Sequence, residues 1–172
     1  MELRSLEGCR LQIGKFPPFT YNAYGGGGKA TLHKNKKNNL LHISFSPKTF
    51  SIPSLTSKTT RFLFLPLPPG FKIKMSMDRL AGTIDENSGE VLLKFESKFI
   101  LSIGTIVQFP ELIVKTCLKT GKVKGKIHKG EGLALQSNGT TKLVGIATIP
   151  KTGNKILDIF LCLPNEALAE LQ

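Results

Sequence analysis

Residues 91–103 read VLLKFESKFILSI, and this stretch decides the expected fold. Apolar residues recur at every second position along it: Leu93, Phe95, Phe99, Leu101 and Ile103. Ser97 is the only polar residue in that set of positions. The other face carries three charged residues: Lys94, Glu96 and Lys98. A two-residue period with one apolar side is typical of a strand buried on one face, so the sequence predicts a long, half-buried antiparallel strand here.

Further strands are predicted after this one. The next alternating stretch places four residues on one face: Leu112, Val114, Thr116 and Leu118. Residues 143–149 are apolar on both faces, which indicates a central strand. Turn-forming residues recur at short intervals: Glu86–Gly89, Thr120-Gly121, Lys129-Gly130, Asn138-Gly139 and Gly153-Asn154. Short strands at this spacing predict a small antiparallel meander that curls into a barrel-like sheet or packs on a helix.

The C-terminus fits more than one structure. Residues 155–163 are compatible with an apolar strand, and equally with a helix capped by Asn154. Residues 164–171 favour a helix, because Pro164 suits a first helical turn and Ala167–Leu171 has high helix propensity. We therefore expect a mainly β fold with a short C-terminal helix.

The positive charge of the chain is concentrated in its first 75 residues. They hold twelve basic residues against two acids, whereas residues 76–172 hold twelve basic residues against ten acids. Seven of the ten prolines and a run of four glycines also fall in residues 1–75. No helical or strand period is sustained there, so we expect a disordered basic segment.

A long N-terminal segment that is basic, rich in Ser and Thr and poor in acids is typical of an organelle transit peptide. Residues 1–75 resemble the leaders of nuclear-encoded plant chloroplast proteins in this respect, apart from the early Glu2 and Glu7. The resemblance implies a location in the chloroplast, in the stroma or at the thylakoid surface. The alternatives are a mitochondrial leader and an uncleaved basic arm on a cytosolic or nuclear protein. The resemblance also implies two regions: a leader over 1–75, with cleavage favoured near Ser76, and a small, mostly β domain over 76–172.

Most chemical motifs are missing from the sequence. The glycines Gly25–Gly28 precede Lys29, but a phosphate-binding loop needs Ser or Thr where Ala30 stands and Gly where Ala23 stands. No uninterrupted apolar run approaches the roughly 20 residues that a membrane-spanning helix needs. We expect no cofactor.

Metal and nucleophile sites find equally little support. Beyond residue 76 the chain has two cysteines, Cys117 and Cys162, and one histidine, His128. Their spacing matches no zinc or catalytic motif, so we expect two buried thiols and a surface imidazole. The sequence therefore predicts no catalytic residue, no metal site and no enzyme.

One cluster of charge stands out from this background. Six lysines and one histidine, without any acid, occupy residues 115–129: Lys115, Lys119, Lys122, Lys124, Lys126, His128 and Lys129. If residues 122–128 form a strand, its period places Lys122, Lys124, Lys126 and His128 on the same face. Such a face either protects a sheet edge from aggregation or binds an anionic partner.

The leading hypothesis is a non-catalytic plastid accessory or assembly protein that binds a partner through this lysine-rich hairpin. The partner is an acidic protein surface or anionic thylakoid lipid headgroups. The alternative is an OB-like protein that binds RNA or DNA, although no aromatic residue for base stacking lies between Phe109 and Phe160. A barrel that holds an apolar ligand is a third, weaker hypothesis.

Overall fold

The computed structural model describes residues 1–34 and 40–172, and nearly all regular structure in these residues is β-strand. The first eight strands are β1 Glu2–Arg4, β2 Cys9–Ile13, β3 Phe19–Tyr21, β4 Gly27–Lys34, β5 Leu40–Phe45, β6 Leu55–Thr56, β7 Thr60–Phe62 and β8 Leu65–Pro66. The others are β9 Phe71–Asp85, β10 Val91–Ile103, β11 Val107–Gln108, β12 Leu112–Lys119, β13 Gly121–Lys124, β14 Lys129–Gly132, β15 Leu143–Ile149 and β16 Asn165–Leu171. One helix, α1, spans Lys155–Phe160. The predicted mainly β class is confirmed.

Most strands join one antiparallel sheet that curls into a half-barrel. Its order is β1-β4-β5-β9-β10-β12-β15-β16-β2-β3-β7-β8, with β11 beside β10 and β6 beside β9. Strands β13 and β14 form a separate pair. The long hairpin β9–β10 pairs from Phe71 opposite Ile103 to Ile84 opposite Val91. Gly89, at φ +70°, lies in the turn between them, where the sequence predicted one.

The concave face of the half-barrel holds the apolar core. Strand β10 has the predicted bounds and the predicted alternation, with Leu93 and Phe99 buried and Lys94 exposed. Ser97 is buried on the same side. One part of the core surrounds Leu93, and the other surrounds Phe99 and includes Leu157 of α1. The helix therefore packs against one end of the half-barrel.

The central position predicted for residues 143–149 is also confirmed. Strand β15 lies between β12 and β16, and its first three residues are all buried. Adjacent residues of a strand point to opposite faces, so consecutive burial means that β15 is covered on both sides. The concave core covers one side, and strands β13 and β14 cover the other.

Residues 1–34 and 40–75 differ from the disorder that their composition predicted. They form strands β1–β8 and the start of β9, and Leu11, Ile13 and Phe45 are buried in the core. These strands are two to eight residues long, too short for a clear period. Their stability comes from partners distant in sequence, since β2 pairs with β16 and β5 pairs with β9.

The boundary predicted between residues 75 and 76 falls inside β9. Met75 and Met77 are both buried, on either side of it. Removal of a leader is a processing event in the cell, so the transit peptide stays a prediction.

The structure decides between the strand and the helix that the sequence allowed for residues 155–163. Residues 155–160 are helical, and the side chain of Asn154 accepts a hydrogen bond from the Leu157 N–H at 3.0 Å, as an N-cap does. The helix predicted for 164–171 is wrong, because residues 165–171 form β16 between β15 and β2. Pairing on both edges outweighs local helix propensity. No helix in the described parts of the chain is long and apolar enough to cross a membrane.

Candidate functional site

Strands β13 and β14, together with the loop between them, carry five of the seven residues of the predicted cluster, and we call residues 121–132 the lysine hairpin. Lys122 lies opposite Glu131, and Lys124 lies opposite Lys129. Residues directly opposite each other in an antiparallel pair point to the same side, so these four side chains share one face. All four are exposed. The solvent face of the hairpin is therefore strongly cationic.

The other face of the lysine hairpin rests on the outer surface of the half-barrel. Val123 and Gly130 lie opposite each other and are half-buried. A Cβ atom at Gly130 would lie 3.2 Å from Leu168 Cδ1 and 3.6 Å from Val144 Cγ1. Leu168 and Val144 are buried, so the hairpin covers the apolar outer side of β15 and β16. One face anchors the hairpin, and the other presents its charges.

One carboxylate from β16 holds the loop between β13 and β14. The backbone N–H groups of Lys126, Ile127 and His128 donate to Glu166 at 2.7, 3.0 and 2.6 Å. Burial by itself raises the pKa of Glu166, but these hydrogen bonds and the nearby His128 charge outweigh it, so the pKa is lowered. A charged carboxylate therefore ties the loop to the sheet at neutral pH. A Cβ atom at Gly125 would overlap the same carboxylate, which explains the glycine.

The structure corrects the predicted strand over 122–128. Strand β13 ends at Lys124, because the Gly125 N–H donates to the His128 carbonyl and the amides of residues 126–128 donate to Glu166. Lys126 is exposed in the loop, whereas His128 is only 7% exposed. His128 is therefore not part of the cationic face. No sequence pattern indicated Glu166, which lies 40 residues from Lys126 along the chain.

Lys115 and Lys119 lie in β12, on the outer side of the half-barrel. Lys119 pairs with Val144, whose side chain points toward the lysine hairpin. The two-residue period places Lys115 on that side too. The Lys115 Nζ atom lies 3.6 Å from a carboxylate oxygen of Glu96. Lys119 is half-buried on the surface of the half-barrel beside the hairpin, while Glu96 offsets the charge of Lys115.

The charges of the hairpin lysines are offset by few nearby acidic side chains. No salt bridge between described residues involves the exposed cations of this face: Lys122, Lys124, Lys126 and Lys129. The aromatic ring pairs of the described residues lie in other parts of the chain: Phe16–Phe160, Phe19–Phe62 and Phe45–Phe50. None of these pairs belongs to residues 115–132, whereas single-strand nucleic-acid binders typically stack bases on aromatic rings.

The two cysteines and the histidine beyond residue 76 have the reverse of the expected exposure. Cys117 and Cys162 are exposed thiols, and His128 is buried. Cys117 follows the alternation of β12 to the outer face, and Cys162 follows the end of α1. Among the described residues, no group of three or more His, Cys, Asp or Glu side chains is placed to hold a metal ion.

Replacing Glu166 by Ala should release the loop of the lysine hairpin. Three N–H groups lose a charged acceptor, which we expect to cost about 1–2 kcal/mol in the free energy of unfolding. Amide hydrogen exchange at residues 126–128 should accelerate selectively. The matched control is Glu131→Ala, which removes an acid of the same hairpin that accepts none of these bonds.

The same contact should depend on pH in a defined direction. The pKa of Glu166 is lowered from 4.5 in the folded state, so its stabilisation is present above pH 4.5 and is lost as the pH falls through the lowered value. Exchange protection at residues 126–128 should follow that loss. Protection that is unchanged in Glu166→Ala would contradict the role of the carboxylate.

Comparisons of the whole chain with protein-family models, with curated proteins and with solved structures found no match.

Proposed function

We propose that this chain is a non-catalytic accessory or assembly protein that binds an acidic protein surface through the lysine hairpin. The observation that carries the proposal is the solvent face of the hairpin, where Lys122, Lys124, Lys126 and Lys129 are exposed and Glu131 is the acid directly across from Lys122. Like charges directly opposite each other, such as Lys124 and Lys129, are unfavourable in a sheet. An approaching anionic surface relieves that repulsion.

The anchoring of the hairpin supports a binding role over simple edge protection. Its underside is packed on β15 and β16, and Glu166 ties down its loop. A surface held in place before binding loses less conformational entropy on association. Edge protection requires lysines but no such fixation of the loop.

The location that we propose is the plastid, in the stroma or at the thylakoid surface. This part of the proposal rests on the composition of residues 1–75 alone. Residues 115–132 lie beyond the predicted cleavage site near Ser76. The binding surface nevertheless needs the segment 1–75, because the hairpin packs on β16, and β16 pairs with β2. A reporter fused to residues 1–80 should enter plastids, and a full-length reporter that stays in the cytosol would contradict this location.

Replacing Lys122, Lys124 and Lys126 together by Gln should weaken binding to an acidic peptide such as polyglutamate by about tenfold. This corresponds to roughly 0.5 kcal/mol for each exposed charge pair. The salt dependence of binding should flatten as well. Stability should change by less than about 0.5 kcal/mol for each exposed site. The matched control replaces three exposed lysines elsewhere in the described chain: Lys48, Lys58 and Lys72.

Two further titrations separate the proposed partner from its alternatives. Single-stranded RNA tests the nucleic-acid hypothesis, and anionic liposomes test lipid headgroups. Tighter binding to RNA than to polyglutamate at equal salt would favour the OB-like alternative. Equal losses in the hairpin variant and in the control would show that only net charge matters, which would contradict a specific surface.

A further inference from the structure

The concave side of the half-barrel contains a cavity of about 350 Å³. This volume lies within the range of about 300–1,000 Å³ that is typical of small-molecule sites. Its floor comes from the core strands: Leu93, Phe95 and Phe99 of β10, Leu118 of β12, Leu143 of β15 and Ala169 of β16. These side chains are apolar, so the cavity has the lining of a site for a hydrophobic molecule.

Residues 1–6 form the roof of this cavity. Strand β1 pairs with β4, with Glu2 opposite Lys29. The Ser5 N–H donates to Gly26 O at 3.0 Å, and the Leu6 N–H donates to Gln172 O at 2.8 Å. The roof is therefore held by hydrogen bonds on both sides of the cavity. The cavity is therefore covered by hydrogen-bonded backbone and is not a gap beneath a loop without hydrogen bonds.

The charged residues of the roof do not bring charge into the interior. The guanidinium of Arg4 lies 3.1 Å from the carboxylate of Glu2, and 77% of the Arg4 side chain and 48% of the Glu2 side chain are exposed. The other lining side chains are apolar or uncharged. Because an unpaired charge is costly in an apolar site, the buried part of an occupant has to be uncharged.

A tyrosine hydroxyl gives the apolar cavity a polar point. Tyr21 of β3 lines the cavity. Burial, and secondarily the neighbouring Cys9, raises the pKa of Tyr21, so the hydroxyl stays neutral. A neutral hydroxyl that lines an apolar cavity can form a hydrogen bond to an oxygen of an occupant.

We propose that this cavity binds a small, uncharged, largely apolar molecule that carries one hydrogen-bonding oxygen. The apolar body fills the space over Leu93, Phe99 and Leu118, and the oxygen bonds to Tyr21. Residues 1–6 close over the occupant. The site lies on the concave side of the sheet, opposite the lysine hairpin. It does not involve the hairpin lysines, but it requires a chain that retains residues 1–6 and Tyr21.

The test uses the full chain and two uncharged probes, N-phenyl-1-naphthylamine and 1-naphthol. Both should bind saturably with one site per chain, and each should raise the melting temperature. Ala169→Phe places a ring in the cavity and should weaken both probes at least tenfold. Ala134→Phe is the matched control, because it makes the same change at an exposed position.

Tyr21→Phe keeps the volume of the lining and removes one hydroxyl. It should weaken 1-naphthol about fivefold or more and leave N-phenyl-1-naphthylamine unchanged, a split that a general loss of structure would not produce. Replacing Lys122, Lys124 and Lys126 by Gln should change neither probe. Absence of saturable binding to the full chain would overturn the proposal, and so would equal binding to a folded Ala169→Phe chain.

Discussion

Deletion of residues 1–75 should abolish the cooperative thermal unfolding of this protein. Among the described residues, nine of the 26 buried apolar side chains precede residue 76. Removing a single large core side chain costs about 2–5 kcal/mol. The combined loss exceeds the total stability of about 5–15 kcal/mol that is usual for a domain. We therefore expect residues 76–172 alone to show no cooperative melt by circular dichroism.

The strand pairing lost in this deletion explains the size of the effect. Strand β16 loses β2 along one edge, and β9 loses β5 along its second half. The cut also shortens β9, which begins at Phe71. Freed edges of this kind promote aggregation.

Adding residues 1–75 as a separate chain is the control for this deletion. If the two pieces reassemble into a β-rich complex with a sharp melt, the loss of cooperative unfolding was due to the missing strands and not to damage to residues 76–172. A cooperative, β-rich melt of 76–172 alone would instead support the predicted division of the chain, and with it processing near Ser76.

Replacing Gly82 by Ala should be among the most damaging single substitutions. Gly82 lies in β9, between Ile43 of β5 and Leu93 of β10. A Cβ atom there would overlap the backbone carbonyl oxygen of Leu92 and lie 2.9 Å from the Leu93 Cα atom. Backbone atoms inside a paired ladder cannot move away as a flexible side chain can. We expect a loss of about 3 kcal/mol or more in the free energy of unfolding, measured by urea denaturation.

Gly139→Ala is the matched control for this substitution. Gly139 has φ +84° and lies in an exposed turn, where a Cβ atom would meet no other atom within 4 Å. Strain in that conformation should cost about 1–2 kcal/mol. Equal losses at the two glycines would mean that close packing between β9 and β10 is not what excludes a side chain at Gly82.

Local sequence patterns were sufficient where a segment is long and its environment uniform. Residues 91–103 alternate over thirteen positions, and β10 has those bounds. The turn at Glu86–Gly89 and the two buried faces of β15 were equally predictable. For both strands, the period of the apolar side chains indicates which side of the strand is buried.

The candidate sites were only partly predictable. The concentration of lysines over 115–129 was visible in the sequence, but the burial of His128 depends on the Glu166 carboxylate 38 residues away. The cavity combines Tyr21 and residues 1–6 with strands near the other end of the chain. No spacing rule connects residues that distant.

By itself, the sequence determined the mainly β class, the bounds of strand β10, which pairs with β9 in the long hairpin, and the cationic character of the lysine hairpin. Only the tertiary structure decided that residues 1–34 and 40–75 join the sheet and that residues 165–171 are a strand. The physical reason is the range of the interactions. Alternation and turn preference act between neighbours, whereas β2 and β16 supply hydrogen bonds to each other across more than 150 residues of chain.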